Sequence, residues 1–299
     1  MKWREAGDVT VDVACVVCGG RLERWCRKIE RDVYRCVACG HVTVPAGLVR
    51  GDDGVSIYER DDSIFEADGN EEYYLDETNA QAAGAKLAYV ARFCPPGRRL
   101  LDVGASFGHF LAEAQTSYQA SGIEVSPSAV AWARSTFHVD VAVGSVYDIG
   151  TGAAAAGLYD AVTFWDVIEH LEDPAAAVDQ IRRCLAPGGL LFLSTPDAGS
   201  LVARLMGRRW HYLDPVQHLN LFSRKNLVRL LSEHGFSPVG HRYFGRSYRL
   251  SYVANRLRYL AAGRTSNGRA ADPVRAPFGT VAVPIKLWDV MGLVLKADA

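Results

Sequence analysis

Between residues 99 and 194, short apolar runs alternate with helical patterns. Arg99–Val103, Ala120–Glu124, Val139–Val143, Ala161–Phe164 and Leu190–Ser194 read as strands. Phe107–Gln115, Ser128–Thr136 and Pro174–Cys184 read as helices, the last closed by Pro187-Gly188-Gly189. Glu77–Phe93 is a further helix ahead of them, stopped at Pro95-Pro96-Gly97. The strands do not alternate polar with apolar residues, as burial on both faces requires. Strand–helix alternation of this kind builds a parallel sheet with helices on both sides. The expected fold class is therefore α/β, a Rossmann-like doubly wound sheet.

Leu100-Leu101-Asp102-Val103-Gly104-Ala105-Ser106-Phe107-Gly108 joins the first strand to its helix. Gly104 lets the backbone turn sharply and a ligand approach it. Gly108 is expected to bring the helix close to the strand. Backbone N–H groups at a helix start suit a negative ligand group. Glu124 ends the second strand, about twenty residues beyond the turn, where a carboxylate can accept from both hydroxyls of a ribose. A plain tight turn or a solvated carboxylate would explain either feature alone. Spacing and strand position together point to a nucleotide-like ligand.

Asp102-x-Gly104-x-Ser106-x-Gly108, Gly122-Ile123-Glu124, Tyr159-Asp160-Ala161-Val162 and Leu185-Ala186-Pro187-Gly188-Gly189 resemble, in order and spacing across residues 80–197, the class I S-adenosylmethionine-dependent methyltransferases. Ser106 stands where the family more often has glycine. A dinucleotide dehydrogenase shares the turn and the acid, but not normally the Pro-Gly-Gly turn or the run Trp165-Asp166-Val167-Ile168-Glu169-His170-Leu171. The resemblance implies S-adenosylmethionine as cofactor. Gly104, Ala105, Ser106 and Gly108 would line its methionine part, and Asp102 would orient that loop. Glu124 would hold the ribose diol, Ser145 and Val146 would flank the adenine, and Trp165 and Asp166 would border the sulfonium. Tyr73 or Tyr74 would cap the carboxylate.

Ligands of an open α/β sheet bind beyond the carboxyl ends of its strands. Asp166, Glu169 and His170 follow the fourth strand. A hydroxyl acceptor profits from a general base, and histidine titrates near neutral pH, so His170 is the first candidate. The Glu-His pair is also similar to ubiquinone-type O-methyltransferases, some of whose relatives hold a divalent metal here. Residues 210–223 pack aromatic and polar groups into a loop-like stretch, and its His-Leu-x-x-Phe-Ser end resembles acceptor-pocket segments of sugar and natural-product methyltransferases. His211, Tyr212 and His218 are thus further candidates. Ser223 is expected to cap a helix over Lys225–His234. Arg246, Arg249, Arg256 and Arg258 would suit a phosphorylated acceptor, or form a solvated helix face. Asn255–Arg269 contains Gly and Ser and is expected to be mobile. Val281–Leu295 reads as a strand returning to the sheet.

Seven cysteines are present, and four of them form Cys15-x-x-Cys18 and Cys36-x-x-Cys39, each followed by glycine. In a reducing compartment this spacing reads as a tetrahedral structural zinc site, so residues 1–50 are expected to be a zinc ribbon. Trp25 and Tyr34 are expected to pack over it, and Cys94 and Cys184 to be core residues. Residues 51–75 are acidic and polar, a linker, and residues 76–299 form the methyltransferase domain with acceptor-binding insertions over 198–275. The charge of -1, from 33 Lys+Arg against 34 Asp+Glu, disfavours a bulk nucleic-acid binder. No apolar run reaches the ~20 residues of a membrane helix and no signal core is seen, so a soluble, cytoplasmic protein is expected. The expected function is methylation of a small molecule, a sugar or secondary-metabolite hydroxyl, with a nucleotide-linked acceptor also suited. The rivals are an RNA methyltransferase gripping RNA through the ribbon and a cofactor-bound scaffold without turnover.

Overall fold

The computed structural model describes residues 10–29, 31–45, 77–149, 159–249 and 282–298. Thr10–Ala14 (β1), Arg21–Lys28 (β2), Arg31–Cys36 (β3) and Val42–Thr43 (β4) form an antiparallel sheet. Its fifth strand, Asn220–Leu221, comes from far along the chain and pairs with β4.

The chain continues through Glu77–Val90 (α1), Arg99–Val103 (β5), His109–Ala114 (α2), Gln119–Glu124 (β6), Pro127–Phe137 (α3) and Val141–Val143 (β7). It then crosses to Tyr159–Trp165 (β8), Pro174–Cys184 (α4), Leu185–Pro196 (β9), Leu201–Met206 (α5) and Asn220–Leu221 (β10). Arg224–Glu233 (α6), Phe236–Arg249 (β11) and Ala282–Ala297 (β12) complete it. The main sheet has the order β11-β12-β9-β8-β5-β6-β7. Its strands from β9 to β7 are parallel neighbours, whereas β12 is antiparallel to both β9 and β11. The order reverses at β5, and the crevice beyond the carboxyl ends of β5 and β8 is where such a sheet takes a ligand.

Period-two geometry sends neighbouring residues of each strand to opposite faces. Leu101, Val103, Val162, Phe164, Leu191 and Leu193 join Ile181 of α4 and Leu227 of α6. Leu100, Ala161, Phe192 and Val294 join Tyr89 and Val90 of α1 and Phe110 of α2. Both faces are thus covered, as the unalternating strands require. Ser126, Asp173, Ser200 and Ser223 each accept an N–H in the first turn of α3, α4, α5 and α6, worth about 1 kcal/mol apiece.

The sequence expectation differs in particular places. Helix α2 starts at His109 because Gly108 has a left-handed φ of 78° and is its cap. Strand β9 begins before the Pro-Gly-Gly turn, which is absorbed as a bulge: Tyr159 faces Leu185, yet Ala161 faces Leu190. Strand β11 was not expected within residues 198–275. It is an edge strand whose buried residues include Phe236 and Phe244, and its register with β12 supplies its order. Tyr73, Tyr74, the 51–75 linker, Asn255–Arg269, Arg256, Arg258 and the side chains of Arg246 and Arg249 lie outside the described residues.

Candidate functional site

The loop after β5 folds back on the end of β6. Gly104, with φ 76°, and Ala105 donate their N–H groups to the Ile123 carbonyl at 2.9 and 3.0 Å. A Cβ on Gly104 would lie 2.5 Å from a methyl of Val167, so the glycine makes room for the segment after β8. Gly108 serves a different neighbour from the strand expected: its Cβ would meet Ala133 of α3 at 2.8 Å. Ser106, also left-handed at φ 50°, donates its N–H to Glu124 Oε2 at 2.8 Å, and Ser126 N–H reaches Oε1 at 3.0 Å. With the Val125 N–H as a third donor, the carboxylate keeps one further lone pair for a ligand hydroxyl. Burial raises Glu124 above the usual carboxylate range, against the pull of the Ser126, Ser106 and Val125 N–H groups.

Gly144 N–H donates to the Glu124 carbonyl at 2.9 Å, bringing Ser145 and Val146 to the same edge. Ser145 accepts Tyr147 N–H, and Val146 is buried. Asp102 lies beneath the loop, with Oδ1 accepting the Thr163 hydroxyl at 2.7 Å. Burial pushes its carboxyl up to about 7, while Thr163 and Lys86 oppose the shift.

Beyond β8, Trp165 is buried against Phe110 and Phe244, and its indole N–H has no partner among the described residues. Asp166, left-handed at φ 56°, accepts from the Ser194 hydroxyl at 2.9 Å and from Lys86 Nζ at 3.3 Å. That ammonium also lies 5.3 Å from the Trp165 ring centre. Lys86 and Ser194 were absent from the sequence expectation. The available signal was a single cation in the Ala-rich helix α1.

The separately nominated histidines and tyrosine come together here. Ring centres run from His170 to His218 at 5.0 Å, to Tyr212 at 6.0 Å and to His211 at 4.3 Å. His170 Nδ1 is 2.7 Å from the Gln217 carbonyl and His218 Nδ1 is 2.7 Å from that of Tyr212. A carbonyl only accepts, so both Nδ1 atoms carry the hydrogen. Burial lowers His170, with Gln217 and Asp166 opposing. Donor atoms of Glu169, His170 and His218 lie within 4.8 Å of one another, a set that could hold a divalent ion.

The ligand atoms of Cys15, Cys18, Cys36 and Cys39 also lie within 4.8 Å of one another, with Sγ atoms 3.7 Å apart for Cys15–Cys39 and 3.5 Å for Cys18–Cys36. Zn–S bonds of about 2.3 Å in a tetrahedron put sulfurs about 3.8 Å apart, so the set fits zinc. Burial raises Cys15 to about 11; at Cys36 burial also pushes upward, but hydrogen bonds from the Cys39 and Ala38 N–H groups and from the Cys18 and Cys39 thiols together bring the thiol down to about 7. Tyr34 shares a cluster with Cys15 and Cys36, as expected, but Trp25 packs in another, with Cys26 and Trp210. Cys94 and Cys184 are core residues.

A family model described as a methyltransferase domain matches residues 75–241. The ubiquinone biosynthesis O-methyltransferase of Xanthomonas axonopodis pv. citri (strain 306) is 39% identical over 146 residues, 42% of this chain and 60% of that protein. A Xanthomonas campestris pv. campestris protein of the same name is 38% identical over the same shares. The chain thus spans about 60% of the length of these curated relatives. The fold is shared with a Thermotoga maritima S-adenosylmethionine-dependent methyltransferase, a possible histamine N-methyltransferase, at TM-score 0.51 and 18% identity, over 81% of this chain and all of that one. A Bacillus halodurans putative methyltransferase gives 0.52 at 13% identity, over 73% of this chain and all of that one. With the glycine loop, the strand-end carboxylate and the strand order of the main sheet all in place, this chain belongs to the class I S-adenosylmethionine-dependent methyltransferases.

Proposed function

We propose that this protein methylates a hydroxyl oxygen of a small molecule. The observation carrying this reading is the cluster of His170, His218, Tyr212 and His211 next to Asp166, beyond the carboxyl ends of β8 and β9. The names of the curated relatives support an oxygen acceptor. A sugar or secondary-metabolite alcohol or phenol fits the mixture of rings and polar groups.

The chain's own groups suit S-adenosylmethionine: a loop that turns sharply at Gly104, a strand-end carboxylate with a spare lone pair, and a buried Trp165 indole N–H without a partner among the described residues. When bound, that cofactor supplies a methyl group already activated on a sulfonium. Glu124 orients the ribose, Ser145 and Val146 flank the base, and the Lys86–Asp166 pair sets the charge beside Trp165. The histidine cluster aligns the acceptor hydroxyl and takes its proton. Alignment is the larger part of such a displacement, since the carbon needs no further activation.

We also infer that the four cysteines hold one structural zinc. Four thiolates leave no open coordination position, so the ion would contribute folding energy and not chemistry. The functional reading is tested by calorimetry with S-adenosylhomocysteine, then by detecting that product when the protein meets S-adenosylmethionine and a panel of phenols and sugars. No heat with S-adenosylhomocysteine refutes it.

A further inference from the structure

Asp289 was not singled out by the sequence, and its position follows from an irregularity in β12. The register with β11 breaks between Ile285, which faces Arg246, and Val290, which faces Phe244. Within that break Trp288 adopts a left-handed φ of 54° and is 60% exposed, whereas the next residue, Asp289, is 4% exposed. Left-handed backbone at a bulky side chain costs free energy and is kept where the fold over-determines it. Here its effect is to turn a carboxylate inward. The Asp289 carbonyl accepts Asp197 N–H at 2.8 Å, which ties the break to the end of β9.

Asp289 Oδ2 lies 3.2 Å from His211 Nε2 and 3.5 Å from the Trp210 indole nitrogen. The His211 ring lies 4.3 Å from that of Tyr212, which packs against the cluster containing Trp165 and Phe110. His211 is therefore one ring away from the crevice, with a buried carboxylate behind it.

We propose that His211 is the general base of this site and that Asp289 is its positioning residue, which holds the Nε2–H tautomer and leaves the Nδ1 lone pair for the acceptor. The inference rests on the methyl-transfer reading above and selects one histidine within it. His170 and His218 hold their Nδ1 hydrogens against backbone carbonyls. His211 has its Nε2 on a buried carboxylate, an arrangement that stabilises an imidazolium as it forms. In the step, the acceptor oxygen forms a bond to the methyl carbon as the carbon–sulfur bond breaks. That electron pair stays on sulfur. The hydroxyl proton passes to His211 Nδ1, and the imidazolium is balanced by Asp289.

The first measurement needs no acceptor. Long-range proton–nitrogen spectra of protein carrying 15N-histidine, with His211 assigned through His211→Gln, should show the Nε2–H tautomer in the wild type and its loss in Asp289→Asn. An Nδ1–H tautomer, or an unchanged spectrum in Asp289→Asn, overturns the proposal. With catechol as probe acceptor, His211→Gln should lower kcat about 10²-fold. Asp289→Asn should lower it at least tenfold, with KM for S-adenosylmethionine within twofold. Values of kcat within twofold of wild type in both variants also overturn it. If Asp289→Asn does not fold, His211→Gln, at a partly exposed position, carries the kinetic test; if catechol is not turned over, the tautomer decides. S-Adenosylhomocysteine calorimetry separates the two levels: heat with unaffected variants removes only this inference, whereas no heat removes the methyl-transfer reading itself.

Discussion

Asn220 is where the four-cysteine sheet meets the acceptor side of the site, and replacing it with leucine isolates that junction. The side chain is 2% exposed. Its Oδ1 accepts from His41 Nε2 at 3.1 Å and shares the Thr43 hydroxyl, also 3.1 Å away, with the Leu219 carbonyl at 2.9 Å. Its Nδ2 donates to the Leu171 carbonyl at 2.7 Å, one residue beyond His170. Leucine of similar volume removes these bonds without opening a large cavity. Thr43 keeps Leu219, but the fully buried His41 loses its Nε2 partner and the Leu171 carbonyl loses its donor. Each orphaned buried group costs roughly 1–3 kcal/mol, so Asn220→Leu should lose about 2–6 kcal/mol of stability. Urea unfolding in zinc-replete buffer measures the loss, and hydrogen exchange should quicken first at Gln217–Leu221. S-Adenosylhomocysteine affinity should stay within about threefold, because Gly104, Ser106 and Glu124 stand on other elements. A loss below about 0.5 kcal/mol, or exchange that quickens at the glycine loop instead, would refute the view that this junction orders the acceptor side.

Three further outcomes are expected. Gly104→Ala should cost about 1–2 kcal/mol for the left-handed backbone, more for the contact with Val167, and at least tenfold in S-adenosylhomocysteine affinity by calorimetry; an unchanged affinity counts against the loop. Asp102, held at about 7 in the folded chain against an ordinary 3.8, is neutral when folded and ionised when unfolded across that window, so its contribution to stability falls as pH rises through it. Asp102→Asn should therefore gain on the wild type by up to about 1.4 kcal/mol per pH unit between pH 5 and 7, and parallel urea midpoints at both pH values would exclude this. Atomic spectroscopy should find one zinc per chain, lost in Cys36→Ser, and cobalt exchange should give the visible bands of a tetrahedral thiolate site; fewer than half an equivalent in freshly purified protein would argue against a structural ion.

The geometry of the proposed cofactor half was legible because it is local. Asp102 to Val146 spans two strand–helix units, and the positions of Gly104, Ser106 and Glu124 follow from where each strand must stop. The acceptor half was legible only as a set of suspects. His170, His211 and His218 could be named from residue type, but their adjacency depends on pairing across long sequence separations. Asp289 carried no signal, since its inward turn is made by a register break and a left-handed tryptophan. Strand β11 escaped notice because an edge strand shows little apolar pattern, and β10 because two residues make no pattern at all. Lys86 was hidden in a helix whose small residues gave it no distinguishable face.

The apolar side of the junction explains why a four-cysteine sheet accompanies this fold. The stretch Trp210–Phe222 has little regular structure of its own, so it must be ordered by what it packs against. Trp210, Leu213, Leu219 and Leu221 bury themselves with Cys26, Val33, Val42 and Val44 of the small sheet, and Lys28 donates to the Trp210 carbonyl. The small sheet thus supplies the core that the acceptor loop lacks. Four short strands bury too little to stand alone, and an ion joining the β1–β2 turn to the turn after β3 would make good the deficit. Order would then pass from the thiolates to β4, through the pairing of β4 with β10, to the loop that carries His211, Tyr212 and His218. On this account, metal loss should raise KM for the methyl acceptor and lower kcat well before it affects S-adenosylhomocysteine binding, because Gly104, Ser106 and Glu124 stand on other elements than β4 and β10.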